Sequence, residues 1–284
     1  MTVGVAAIAE SESETPRVVL AADQLVTTRQ QSAIEHEHPQ TKVEEVAQLA
    51  PTVNALGIVS GSVSLGEELL NSIDDVLSNH FRQEEPNPVG AESLAKVAGE
   101  EYRYLVQQKV QSHVLSKYGF ELEDLKKQHQ FKDDFFEGMM AEVNQVQQTI
   151  HSNLTLLLGA ADRSGAYVFE VSGGDVTGHN KLGYASIGSG QQPAESQFIQ
   201  SGITPEEDLH DTLITVTGAI LRAKQASGVG GDMDLGVVSS TSVDIAPNNL
   251  ISQLQDIQSR IEREQREVKE EVLEENAVTW NPGQ

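Results

Sequence analysis

A run of small apolar residues, Val3-Gly4-Val5-Ala6-Ala7-Ile8-Ala9, opens the chain. The polar stretch from Ser11 to Arg17 breaks it, and a second run, Val18-Val19-Leu20-Ala21-Ala22, follows. Apolar runs of this length bounded by turn residues predict two buried strands joined as a hairpin, over residues 2–9 and 18–28. The same reasoning predicts strands at 42–49, 53–60, 154–161, 166–172, 182–187 and 233–239, with Asp162-Arg163-Ser164-Gly165 as the hairpin turn between 154–161 and 166–172. Between residues 65 and 82 the period changes, and Leu69, Leu70, Ile73, Val76 and Leu77 recur on one side of a helix. Pro86-Asn87-Pro88 interrupts that pattern, and a second helix is predicted over 92–116. Residues 119–150 are charged and helix-like, with Phe120, Leu122, Leu125, Phe131, Phe135 and Met139 as the apolar members. Thr204-Pro205-Glu206-Glu207 reads as the start of a helix over 206–225. A last charged helix, 249–275, repeats Leu250, Leu254, Ile257, Ile261 and Val268.

This order predicts an α+β protein in which helices pack on a pair of antiparallel sheets. The expected form is a four-layer αββα sandwich, with helices 65–82 and 92–116 on one face and 206–225 on the other. Residues 2–248 would form the main domain, carrying a helical insertion at about 111–150, and 249–284 a charged C-terminal helix and tail.

Charge narrows the function classes. The 284 residues contain 43 Asp and Glu against 19 Lys and Arg, a formal net charge of −24. Nucleic acids and anionic membrane surfaces attract basic patches, so neither is expected as a partner. A surface this acidic resembles those of proteins from salt-loving organisms, where concentrated ions screen self-repulsion. There is no cysteine, which removes disulfides, thiolate nucleophiles and cysteine metal sites. No apolar run reaches the ~18 residues of a membrane span and the first residues lack a basic signal region, so a cytoplasmic location is expected.

Thr2 stands directly behind Met1 and is small enough for the methionine to be removed. An α-amino group has a pKa of roughly 7.7–8.0, and pairing a threonine hydroxyl with its own amine activates a nucleophile. Asp23 and Lys42, each read alone, are a strand-end turn residue and a solvated lysine. His36 and His38 in Glu35-His36-Glu37-His38 share a face of an extended segment, but with Pro39 following and no third ligand they read as a solvated loop. No metal and no cofactor is expected.

Five local patterns occur in one order: Val19-Leu20-Ala21-Ala22-Asp23 followed by Val26-Thr27; Lys42-Val43 at a strand start; Ser60-Gly61-Ser62; Ile187-Gly188-Ser189-Gly190; and Ala223-Lys224-Gln225 followed by Gly230-Gly231. Together they resemble the proteasome β-subunit branch of the N-terminal-nucleophile (Ntn) hydrolases, in a divergent archaeal-type form, over roughly residues 2–110 and 150–240. The resemblance implies an Ntn-hydrolase sandwich and an N-terminal threonine peptidase that cleaves peptide bonds inside a self-assembled particle. Thr2 would be the nucleophile, Lys42 would favour loss of its proton, and Asp23 would orient Lys42. The Gly61 amide would stabilise the oxyanion, an interaction worth ~2.7–4 kcal/mol in acyl-transfer enzymes, with Gly57 as the alternative. Ser189 would hydrogen-bond the amine, Thr27 would bind substrate as an added strand, and Val26, Val59 and Val63 would line a small apolar pocket. Two registers are open at the start. Matching Val3-Gly4 to the family's Val-Gly displaces Thr2, whereas matching Val5-Ala6 puts Thr2 in place. In Ala226-Ser227-Gly228-Val229 only Ser227 stands for the family's Asp and Ser. The implied partners are peptide or unfolded-protein substrate, an ATP-dependent unfoldase and further copies of the chain. A threonine-dependent amide transferase or ligase, and a catalytically silent proteasome-like scaffold, are the alternatives.

Overall fold

A computed structural model of the chain describes residues 3–30, 32–37, 41–49, 52–81, 89–224 and 232–275. The two opening apolar runs form β1 (Val3–Ala9) and β2 (Arg17–Asp23), paired antiparallel with Val5 opposite Ala21. A hairpin follows, β3 (Leu25–Gln30) with β4 (Ser32–Glu37), and then β5 (Val43–Leu49) and β6 (Val53–Gly61). Next come the helices α1 (Val63–Phe81) and α2 (Ala91–Val110). α2 runs on through a π turn at Gln111–Leu115 into the short α3 (Ser116–Tyr118). A 3-10 segment at Leu122–Gln130 leads to α4 (Asp133–His151). The remainder is β7 (Leu154–Asp162), β8 (Gly165–Ser172), β9 (Asp175–Gly178), β10 (Tyr184–Gly188), α5 (Gln191–Ser201), α6 (Leu209–Ala223), β11 (Met233–Ser239), β12 (Val243–Ile245) and α7 (Asn248–Glu275).

The strands make two five-stranded sheets, ordered β10-β1-β2-β11-β12 and β5-β6-β7-β8-β9, beside the separate β3-β4 pair. Alternation along each strand sends side chains to both faces. From β1 and β2, Ala6, Ile8, Val18 and Leu20 point inward and meet Leu56, Ile58, Leu157 and Val168 of the other sheet. Their neighbours Val5 and Val19 point outward and pack with Phe198, Val216 and Ile220 of α5 and α6, and with Ile251 and Leu254 of α7. On the far side, Ala55, Leu156, Leu158 and Val171 pack with Leu69, Ile73, Leu94 and Tyr102 of α1 and α2. Strands buried on both faces need apolar residues throughout, which is why they read as continuous runs. The result is an α+β sandwich of helices, sheet, sheet and helices. At Gly4 the sheets approach so closely that a Cβ would lie 2.6 Å from Ile58 Cγ2.

Several predicted elements are corrected. The strand expected over 18–28 ends at Asp23; Gln24 intervenes, its N–H bonded to Asp232 O, and residues 25–30 pair with β4 instead of extending the sheet. No single helix covers 119–150, because Gly119 takes a left-handed conformation (φ 72°) and Lys127 breaks the helical geometry. The helix expected from 206 starts at Leu209, capped by Asp208, whose side chain accepts the His210 and Asp211 N–H groups. β4, α5, β9 and β12 are additional to the predicted set, and β4 places His36 in a strand where a solvated loop was expected. Pro86-Asn87-Pro88 lies outside the described residues. Among the described residues, no helix is long and apolar enough to cross a membrane.

Candidate active site

β2 is apolar from Val18 to Ala22 and ends at Asp23, which is fully buried. A carboxylate out of water needs donors. Among the described residues Asp23 Oδ1 has two, the Val3 backbone N–H at 2.8 Å and the Lys42 ammonium at 3.3 Å. Val3 is the first described residue and Lys42 immediately precedes β5, so this one oxygen joins the start of β1 to the entrance of the second sheet. A hydroxyl turn shapes that entrance, where the Val43 N–H donates to Thr41 Oγ1 at 3.2 Å.

Lys42 is held at its backbone as well. Its N–H donates to Asp234 Oδ2 at 2.6 Å, and Asp234 Oδ1 accepts from Gln24 Nε2 at 2.7 Å. Asp234 lies on β11 opposite Ala22. Burial is the largest influence on the Lys42 ammonium and pulls its pKa below the ordinary lysine value. The Asp23 charge and hydrogen bond, and the Asp234 charge, oppose that pull without cancelling it.

The chain returns to Val3 from a second direction. Gly188, at the end of β10, stands opposite Val3 with φ 90°, and Gly190 packs so tightly on Val3 that a Cβ would lie 2.8 Å from Val3 Cβ. Ser189 therefore occupies a turn flanked by two contacts with the first strand. Behind it, the buried Ser186 donates to Glu195 Oε1 at 3.2 Å, which also accepts Gln191 Nε2 at 2.9 Å.

Gly61 ends β6 opposite Leu154, with φ 113°, and a Cβ there would lie 2.1 Å from Asn153 O, so only glycine fits. Since Val43 pairs with Ile58, β6 runs on past the start of β5 and puts Gly61 at the same end of the sheet as Lys42. Gly57 stands mid-strand opposite Glu44, against Val46 and Leu156 of the helix-side core. Val59 is half-buried against Gly66 of α1, and Val63 is exposed in the first turn of α1. Val26 and Thr27 are in β3, opposite His36 and Glu35, with side chains outside the described residues. Thr2, His38, Gln225, Ala226–Val229 and Gly230-Gly231 also lie outside them. Among the described residues there is no group of three or more His, Asp or Glu able to hold a metal ion.

The structure thus brings Asp23, Lys42 and Val3, the residue bonded to Thr2, into one hydrogen-bonded unit with the Ser189 turn beside it. Chemically this is a fixed ammonium at the entry of the first strand, able to stabilise a developing oxyanion or alkoxide. Asp234 and Gln24 belong to this unit without having stood out in the sequence. The available signal was a carboxylate inside the apolar strand Met233–Ser239, since buried acids are rarely without partners.

No family model matches this chain, and no curated protein sequence does. Solved structures do. Anbu from Hyphomicrobium sp. strain MC1, in a Gly-1 mutant form, superimposes with a TM-score of 0.60 at 13% identity, covering 94% of this chain and 97% of that one. Anbu (ancestral beta-subunit) from Yersinia bercovieri gives 0.60 at 11% identity, covering 99% and 98%. A further Hyphomicrobium Anbu structure gives 0.57 at 12% identity, covering 93% and 97%. At these identities the likeness is one of fold alone. The resemblance drawn from the five motifs is corrected accordingly: these full-length likenesses are to Anbu, and assignment to the Ntn-hydrolase β-subunit branch in a divergent archaeal-type form is withdrawn.

Proposed function

We propose that this chain is an N-terminal threonine peptidase acting within a self-assembled, proteasome-like particle. The observation that carries the reading is the shared Asp23 oxygen, which binds both the Lys42 ammonium and the Val3 amide. That amide nitrogen is the one bonded to Thr2, the residue that would supply the nucleophile. The Anbu-like fold, and the description of the Yersinia protein as an ancestral beta-subunit, agree with the reading.

With Met1 removed, the Thr2 amine takes the hydroxyl proton, and the Lys42 ammonium lowers the energy of the oxygen as it becomes nucleophilic. Attack on a substrate carbonyl forms a tetrahedral intermediate, whose oxyanion the Gly61 amide receives. The leaving amine takes the proton, and water then hydrolyses the Thr2 ester. Asp23 keeps Lys42 charged and oriented, and Ser189 fixes the amine. Extended substrate adds along β3 at Thr27, with Val26, Val59 and Val63 selecting small apolar side chains. Substrates are unfolded polypeptides, delivered by an ATP-dependent unfoldase.

One sequence feature favours a second reading. The segment Ala226–Val229 offers Ser227 but no carboxylate, which fits a transferase, in which an amine captures the acyl group, or a silent scaffold. Hydrolysis of fluorogenic peptides with a small apolar residue before the scissile bond separates these readings. Wild type should cleave, while Thr2→Ala and Lys42→Ala should be inactive yet folded by circular dichroism. Full activity in Thr2→Ala would overturn the proposal.

A further inference from the structure

We infer that Asp234 is a positioning residue for Lys42, anchoring the lysine's backbone across the gap between the two sheets so that its ammonium reaches Asp23. This rests on the peptidase reading above. Lys42 precedes β5 of the second sheet, whereas Asp23 and Asp234 belong to β2 and β11 of the first. A lysine side chain has four flexible carbons and about 2 kcal/mol of rotamer entropy, so an ammonium is placed only as well as the backbone beneath it. The Asp23 contact at 3.3 Å constrains the tip. The Asp234 contact at 2.6 Å constrains the root.

Residue type agrees with this role. The groups facing Asp234 are both donors, the Lys42 N–H and the Gln24 side-chain NH₂, and an ionised carboxylate is the side chain that only accepts. Gln24 is itself fixed, its backbone N–H donating to Asp232 O at 3.1 Å, so Asp234 braces Lys42 against the closed end of the β2–β11 ladder. Asp234 is only 8% exposed, so a purely solvating surface role does not account for it. Among the described residues, Asp23 and Asp234 are the charged groups acting on the Lys42 ammonium. Asp234 therefore supplies both a geometric tie and a second negative charge.

These two contributions separate in variants. Asp234→Asn can still accept the Lys42 N–H through its oxygen, while a flipped Gln24 amide accepts from its NH₂. It keeps the tie and loses the charge. Asp234→Ala loses both. The assay is peptide hydrolysis resolved into kcat and KM, alongside the pH dependence of Lys42 acetylation by acetic anhydride, read by peptide mass spectrometry. Asp234→Ala should lower kcat roughly 10²-fold, the scale of a 1 Å misplacement, with KM little changed. Asp234→Asn should keep most of kcat near neutral pH while Lys42 becomes reactive at lower pH than in wild type. A purely structural role would lower the melting temperature while leaving the Lys42 pH profile unmoved, and that result would overturn the inference. Unchanged kcat and unchanged Lys42 reactivity in both variants would overturn it too, with the peptidase reading intact. If wild type cleaves no peptide but Asp234→Asn still shifts Lys42 reactivity, the anchoring stands and the peptidase reading falls.

Discussion

Asp23 is fully buried and accepts from two donors on one oxygen, so its removal is costly at the residue scale. Asp23→Ala removes the oxygen shared by the Lys42 ammonium and the Val3 amide, and breaking one side of a buried pair typically costs about 3–5 kcal/mol. Urea unfolding should show a loss of that size, and a smaller one for Asp23→Asn, which keeps an acceptor oxygen. The pH profile of kcat should be bell-shaped. Its acid limb follows loss of the Thr2 amine as a base, near the roughly 7.7–8.0 of an ordinary α-amine. Its alkaline limb falls as Lys42 deprotonates, below the 10.5 of an ordinary lysine because burial lowers its pKa. Stability moves oppositely in that window. Between the folded and unfolded Lys42 pKa values the unfolded chain binds more protons, so the Lys42 contribution to stability rises with pH. Asp23 and Lys42 were singled out in the sequence only by the resemblance, since each read alone is a strand-end turn residue or a solvated lysine. Asp234 was not, because its partner Lys42 is 192 residues away and only folding shows the pair.

At the scale of elements, legibility followed burial. β1, β2, β6, β7 and β11 are buried nearly throughout, and their apolar runs announced them. α5 went unseen because its buried side chains are Ala194 and Phe198 alone, too few to set a period. The break between β2 and β3 was hidden for a different reason: a strand's pattern does not name its partner, and only pairing with β4 reveals β3 as a separate hairpin. The end of β6 yields a firm prediction. At Gly61, alanine meets both a backbone oxygen at 2.1 Å and an unfavourable φ of 113°. Gly61→Ala should therefore destabilise the fold by more than the ~1–3 kcal/mol of backbone strain alone, measured by thermal unfolding.

For the whole molecule, the charge of −24 opposes any assembly. Yet the helices leave apolar side chains uncovered: Ile257, Val268, Val272 and Leu273 on α7, and Phe135 on α4, are all exposed. Self-association would bury such residues and should be favoured by molar salt, which shortens the Debye length to ~3 Å. Sedimentation should show oligomers that grow with salt. A monomer at both low and high salt would remove the particle from the account.

The central claim is that Thr2 acts through its hydroxyl and its own free amine. Treatment with a peptide epoxyketone, which captures both groups, followed by intact and peptide mass spectrometry, tests it most directly. The account predicts an N-terminal peptide that begins at Thr2 and carries one inhibitor, with no adduct in Thr2→Ala. Met1 retained ahead of an unmodified Thr2 would contradict it.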